Sequence, residues 1–302
     1  MRSIRLKIPA STSNIGPGFD TLGIALGLYN ELVLTSGERL EIEFERGVED
    51  MFSSQIRRMV KKTIAAFEDV TDKKIGATRL VFRNDIPIAR GLGSSATFRM
   101  GTLLALNRWL RNPLEETKLL DIGCDLEQHT ENCVTSLKGG LTASGFINGH
   151  VQYGVFELRA DPTFVAAIPR RPMSTIETRK ILPPRIGFKD AVFNLNRTAL
   201  LIHAFTTGEL SGLGPLLEDR LHQRRRAEIL TPLFQVIAAA QKAGACGGFL
   251  SGSGSTIIAV ATQNINRIAE AMKKTLDNRG WPCEVLLLKS DKSGIIMEVV
   301  EE

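Results

Sequence analysis

IPIARGLGSSAT, residues Ile86 to Thr97, is the stretch whose reading decides the fold. A strand-like run, Thr78 to Phe82 (TRLVF), leads into it, and a long apolar helix, Ala96 to Leu110, leads out. Gly91 and Gly93 permit positive φ, so successive N–H groups can point into one concavity. A helix starting near Ser94 aims its free N–H groups and the positive end of its dipole at the same place. Ser94 and Ser95 add hydroxyls able to bond phosphate oxygens or a metal ion. The stretch contains no Lys and lacks the spacing of the common P-loop. Two readings follow from these residues alone: a phosphate cradle, or a Gly-Ser helix cap in a loop.

Upstream, Arg5 to Pro9 alternates as a strand, and Ala10 to Asp20 (ASTSNIGPGFD) reads as a polar, glycine-rich loop whose Asn14 and Asp20 can bond their own backbone. Leu26 to Leu34 and Leu40 to Phe44 read as strands. From Ser54 onward Ile56, Met59, Val60, Ile64 and Phe67 fall on one helical stripe, opposite Arg57, Lys61 and Lys62. Downstream, Asn112-Pro113 breaks the helix, and Pro113 suits the first turn of another that runs from Leu114 to about Gln128. Asp121 and Asp125 stand there at i, i+4, either as a solvated acidic face or beside a cation. Asn148-Gly149 marks a hairpin.

A second unit opens near Arg159. Phe164 to Ile168 reads as a strand, Lys189 to Phe205 and Ala227 to Lys242 as helices, and Gly247 to Gly254 (GGFLSGSG) as a second glycine-serine loop. Strand Thr256 to Ala261, helix Asn266 to Leu276 and strands Glu284 to Leu288 and Gly294 to Val300 complete it. That order predicts an α+β layer with helices on one face. The expected division is residues 1–158 and 159–302.

A length of 302 residues suits two domains, and 43% hydrophobic with 24% charged residues is ordinary globular composition. The net charge of +5 suits an anionic metabolite and is too dispersed to indicate nucleic acid. No apolar run approaches the ~18 residues of a membrane span, and Met1 to Ala10 lacks signal-peptide form. Cys124, Cys133, Cys246 and Cys283 form no CxxC pair, so reduced thiols and a cytoplasmic location are expected.

IPIARGLGSSA resembles the phosphate loop of the GHMP kinases, and GACGGFLSGSGST resembles their C-terminal glycine motif. Within that superfamily the chain is similar to the homoserine kinase branch over nearly its whole length. Pro9 to Gly23 (PASTSNIGPGFDTLG), Ser174 to Pro183 (STIETRKILP), and Asp190 to Leu201 with Asp219 to Arg226 carry that likeness. The resemblance implies an α+β fold of two domains, an N-terminal one like those of ribosomal proteins and a C-terminal ferredoxin-like one. It implies ATP and Mg²⁺ as cofactors, L-homoserine as substrate, and a homodimer, with no nucleic acid or membrane partner.

By motif position, Pro87, Ile88, Ala89, Arg90, Gly91, Leu92, Gly93, Ser94, Ser95, Ala96 and Thr97 would bind ATP. Ser95 and Asp121 would hold Mg²⁺. Asn14, Asp20, His129, Asn132, Arg179, Arg226 and Gly252 would surround the acceptor, with Asn132 and Glu131 at its hydroxyl. The chemistry agrees, since an amino acid's carboxylate asks for Arg forks and its ammonium for a carboxylate such as Asp20. Several positions depart from the family pattern: Asp121 for Glu, Glu131 for Asp, Lys138 for an apolar residue, and Thr97, Phe98 and Arg99 for small residues. They leave open a paralogue acting on a related hydroxy amino acid or alcohol. An RNA-binding module is the rival of another class, and two Trp and two Tyr without basic interleaving speak against it.

Overall fold

In a computed structural model, residues 2–300 are described. The first sheet holds β1 (Ser3–Ser13), β2 (Leu22–Ser36), β3 (Glu41–Arg46), β4 (Thr78–Asn84), β5 (Leu141–Ile147) and β6 (His150–Phe156). β3 and β4 pair in parallel, joined by α1 (Asp50–Thr71) as a crossover, and the other neighbours are antiparallel. β2 is long enough to serve two partners beyond β1: its first residues pair with β5 and its last with β4. β5 and β6 form the hairpin at Asn148-Gly149, both with positive φ as such a turn requires.

Helices α2 (Ser94–Trp109), α3 (Glu116–Glu127) and α4 (Glu131–Lys138) join α1 over this sheet. The core between them is built on Phe67, Phe82, Phe98, Leu103 and Leu106. α2 is buried on nearly every side, and its hydroxyls are satisfied locally: Thr97 Oγ1 donates to Ser94 O at 2.7 Å and Thr102 Oγ1 to Phe98 O at 2.7 Å.

The second sheet orders β10 (Cys283–Leu288), β7 (Thr163–Pro169), β9 (Ile257–Ala261) and β8 (Gly247–Leu250), all antiparallel. Around it lie α5 (Thr175–Lys180), α6 (Phe188–Thr207), α7 (Leu213–Leu216), α8 (Gln223–Arg226), α9 (Leu233–Lys242) and α10 (Ile265–Asp277). Alternate residues of β7 face opposite ways. Val165 and Ala167 pack under α9 and α10, whereas Phe164, Ala166 and Ile168 meet Leu201 and Phe205 of α6 and Ile24, Ile86 and Leu92 of the first unit. The two sheets therefore share a core, and helices cover both faces of the second sheet rather than one.

Three further expectations change. Ala10 to Ser13 is strand, because Ser11, Thr12 and Ser13 are buried and their hydroxyls find partners across the site. The helix expected over Ala227 to Lys242 starts only at Leu233, with Pro232 at its N-cap. The last strand among the described residues, β11 (Ile296–Val300), leaves the second unit and pairs with β1, Ser3 opposite Val300 and Lys7 opposite Ile296. The segment 159–302 is thus not one contiguous unit. Among the described residues no helix is long and apolar enough to cross a membrane.

Candidate active site

Between β4 and α2 the glycine-rich loop is bent by Ala89, Gly91 and Gly93, at φ 56°, 77° and 73°. A Cβ at Gly91 would lie 2.1 Å from the carbonyl oxygen of Ser251. Other groups take the loop's carbonyls: Met173 N donates to Ala89 O, Thr256 N to Arg90 O, Ser251 Oγ to Gly91 O and Ser11 N to Leu92 O. What the loop has left to offer is N–H. Ser94 opens α2, so the first amides of that helix have no intrahelical acceptor.

The wall of the adjoining cavity, about 860 Å³ in volume, includes Pro87 through Ser95. Ala96 and Thr97 are not part of it. Ala96 is fully buried, and Thr97 turns inward to bond Ser94 and Asn30. Arg90 reaches it only in part, since its guanidinium donates to the carbonyls of Ile88, Pro169 and Arg170 and braces the loop against the second unit.

At the other end, Asn14 donates to Gly252 O at 2.9 Å and accepts from the Asp20 amide. Arg179, on α5, forks onto Asp20 with two bonds of 2.8 Å. Arg226 is 2% exposed. Its Nη1 donates to Gly252 O at 2.8 Å and lies 3.1 Å from His222 Nδ1, while its Nε has no partner. Burial, helped by the nearby Arg179, pushes its pKa down to about 10 against the pull of Asp20, Asp219 and Glu131. It stays charged at neutral pH and wants an anion. The short α8 that presents it is anchored by Asp219, which accepts from the amides of Leu221, His222 and Gln223. Phe19 lies under both guanidinium groups, 5.6 Å from Arg179 and 5.5 Å from Arg226. Phe19 sits beside Asp20 in the opening motif, but a lone aromatic there carries no signal in sequence that it lies under two guanidinium groups.

The start of α4 supplies the middle of the cavity. Asn132 Oδ1 accepts from Ser11 Oγ at 2.9 Å, and its Nδ2 donates to Glu131 Oε1 and Ser13 Oγ at 2.9 and 3.2 Å. Glu131 is buried, and its Oε2 has no partner. His129 Nδ1 faces Glu131 Oε1 at 3.2 Å. Burial opposes a charge on His129, but the carboxylates of Glu131, Glu127 and Asp20 outweigh it and push its pKa up to about 9. Burial would raise the Glu131 pKa, yet His129 holds it below the ordinary value. The pair is imidazolium and carboxylate at neutral pH.

Ser95 does not meet Asp121. Asp121 accepts from Val151 N at 2.8 Å and sits 2.9 Å from His150 Nδ1, fastening α3 to the β5–β6 hairpin outside the cavity. The carboxylate beside Ser95 is Glu127, to which Ser95 Oγ donates. Six residues are about 600° of helix, so Asp121 and Glu127 cannot share a face. The missed signal was adjacency: Glu127 lies two residues before His129, in the run that already held the acceptor residues. Among the described residues no three His, Cys, Asp or Glu cluster as a metal cage. One carboxylate and one hydroxyl at a helix N-terminus fit Mg²⁺, which takes few protein ligands and completes its shell with phosphates and water.

α1 also reaches the cavity, through Phe52, Gln55, Ile56 and Met59, and the first, third and fourth of these join Ile88, Phe98 and Leu126 as apolar lining. α1 carried no site residue in the sequence reading because its apolar stripe looked wholly like core.

The pattern described as GHMP kinases N terminal domain matches residues 58–140, and that described as GHMP kinases C terminal matches residues 201–278. A homoserine kinase of Carboxydothermus hydrogenoformans is 38% identical over 290 residues, covering 96% of this chain and 95% of that protein. One of Caldanaerobacter subterraneus is 36% identical, covering 96% and 94%. The crystal structure of homoserine kinase from Cytophaga hutchinsonii superposes with a TM-score of 0.84 at 24% identity, covering 98% of this chain and 97% of that one.

Proposed function

We propose, from the premise that this chain belongs to the homoserine kinase family of the GHMP kinases, that it transfers the γ-phosphoryl group of ATP to the side-chain hydroxyl of L-homoserine. One observation carries the reading. Charged groups of both signs, Asp20 against Arg179 and Arg226, share a single cavity with a hydroxyl-sized polar pair, Asn132 and Glu131, and with the phosphate loop. A zwitterion with a terminal hydroxyl matches all three. The Asp20–Arg179 fork would part to receive it, Asp20 taking the ammonium while Arg179 and the buried Arg226 take the carboxylate. The flat face of Phe19 holds both guanidinium groups in place.

Asn132 and the free Oε2 of Glu131 would then orient the hydroxyl toward the loop. Glu131 accepts its proton late, as a loose phosphoryl-transfer transition state permits, and His129 keeps Glu131 ionised meanwhile. The amides of Gly93 to Ser95 and the start of α2 hold the phosphates, and the apolar lining at α1 takes the adenine. Ser95 and Glu127 would hold Mg²⁺, which supplies charge neutralisation at the phosphates. We retain the homodimer, resting it on Phe188, Val192 and Leu195, exposed at i, i+4, i+7 along α6, and the cytoplasmic location, with four free cysteines. Sedimentation velocity checks the first.

ADP release measured over homoserine, threonine, serine and mevalonate tests the substrate. Homoserine should give the highest kcat/KM. Another alcohol exceeding it tenfold, about 1.4 kcal/mol of transition-state binding, would leave a GHMP kinase with a different acceptor.

A further inference from the structure

α2 holds Glu127 from two positions. Ser95 donates its hydroxyl to Oε1, and Arg99, one turn later on the same face, donates Nε to Oε2 at 2.6 Å. The two side chains of that ion pair are 13% and 6% exposed, so solvent screens it poorly. Arg99 also lines the cavity, and its Nη1 is a buried donor with no hydrogen-bond partner. An ion pair that served structure alone has no reason to bear an unpaired buried donor, which costs free energy. The glycine-rich loop contains no lysine, and the guanidinium of its Arg90 is committed to the carbonyls of Ile88, Pro169 and Arg170, which leaves Arg99 as the cation aimed at Glu127.

We propose that Arg99 is a resident cation of the metal and phosphate site. It neutralises Glu127 until nucleotide arrives, so that a divalent cation enters together with the phosphates and not ahead of them. The inference rests on the reading of Ser95 and Glu127 as the metal's protein ligands. Without phosphates, a divalent cation meets one carboxylate already matched by a guanidinium, and like-charge repulsion in a poorly screened setting offsets the attraction. With a triphosphate present, the guanidinium and the divalent cation both face anionic oxygens, and the unpaired Nη1 gives a phosphate a donor to recruit. Arg99 therefore has an electrostatic effect of opposite sign on the two ligands.

That opposition is the test, because a merely structural role would weaken both ligands together. Mn²⁺ binding to the nucleotide-free protein is followed by electron paramagnetic resonance, and ADP binding in excess chelator by calorimetry. Arg99→Gln should bind Mn²⁺ alone at least tenfold more tightly, about 1.4 kcal/mol, and metal-free ADP at least threefold more weakly. Arg99→Lys, keeping the charge, should stay near the parent in both. If Arg99→Gln fails to fold, Arg99→Met carries the same expectations. Mn²⁺ affinity that is unchanged or weakened in the neutral variant overturns the proposal. Glu127→Gln separates the two layers. Undiminished Mn²⁺ binding in the presence of ADP would remove the ligand assignment itself. Loss of that binding, without opposed shifts in the Arg99 variants, would remove only the role of Arg99.

Discussion

Replacing Arg226 by Met should sharply weaken acceptor binding while barely touching folding. The side chain is 2% exposed, and its pKa of about 10 lies below that of a free guanidinium because burial disfavours the charge. At neutral pH the group is charged in both folded and unfolded chains, so the depressed value is a burden on the native state. It amounts to about 3 kcal/mol at 1.36 kcal/mol per pKa unit. Methionine removes that burden but leaves His222 Nδ1 without its donor and Gly252 O with that of Asn14 alone, which costs about 1–3 kcal/mol. The two terms nearly cancel, and Tm should move by no more than about 4 °C. Binding has no such compensation. A desolvated carboxylate that loses one arm of its clamp forfeits about 2–5 kcal/mol, so the KM for homoserine should rise from about 30-fold to several thousand-fold. Steady-state ADP release at saturating ATP measures it, with scanning calorimetry alongside. A parallel rise in the KM for ATP, or a collapse of kcat with homoserine KM unchanged, would refute the assignment of Arg226 to the acceptor.

Glu127→Gln should lower kcat at least about 100-fold and raise the Mg²⁺ requirement, whereas Asp121→Ala should keep the metal dependence and lose only about 1 kcal/mol of stability at the β5–β6 hairpin, as read by urea unfolding. His129, with its pKa raised from 6.5 to about 9, stabilises the native state fully below pH 6.5. That contribution, up to about 3 kcal/mol, is lost as pH rises through 9. Tm measured from pH 6 to 10 should fall across this window and lose that slope in His129→Asn. Gly91→Ala places a methyl against the Ser251 carbonyl at positive φ and should cost about 1–3 kcal/mol of stability together with nucleotide affinity, read by denaturation and by ADP calorimetry.

What sequence made legible was local. The loop from Ile86 to Ser95, the helix after it and the hairpin at Asn148-Gly149 announce themselves through backbone requirements that few residues meet. The polar strand Ala10–Ser13 did not, because its hydroxyls are satisfied by Asn132 and Ser251, far away in the chain. Asp121 drew attention as half of a like-charged pair, yet the face that α3 turns to Ser95 is chosen by packing against α2, which no spacing within α3 encodes. The mutual neutralisation of Asp20 and Arg179, 159 residues apart, is invisible to a linear reading for the same reason.

The return of β11 to β1 has a consequence for biosynthesis. Until Ile296–Val300 leaves the ribosome, β1 is an open edge, its Ser3–Lys7 backbone lacking a partner on one side. The first sheet is therefore closed only after the strands of the second have been made and have been able to pair. A chain stopped before residue 296 would leave that edge open, a strand ready to recruit another.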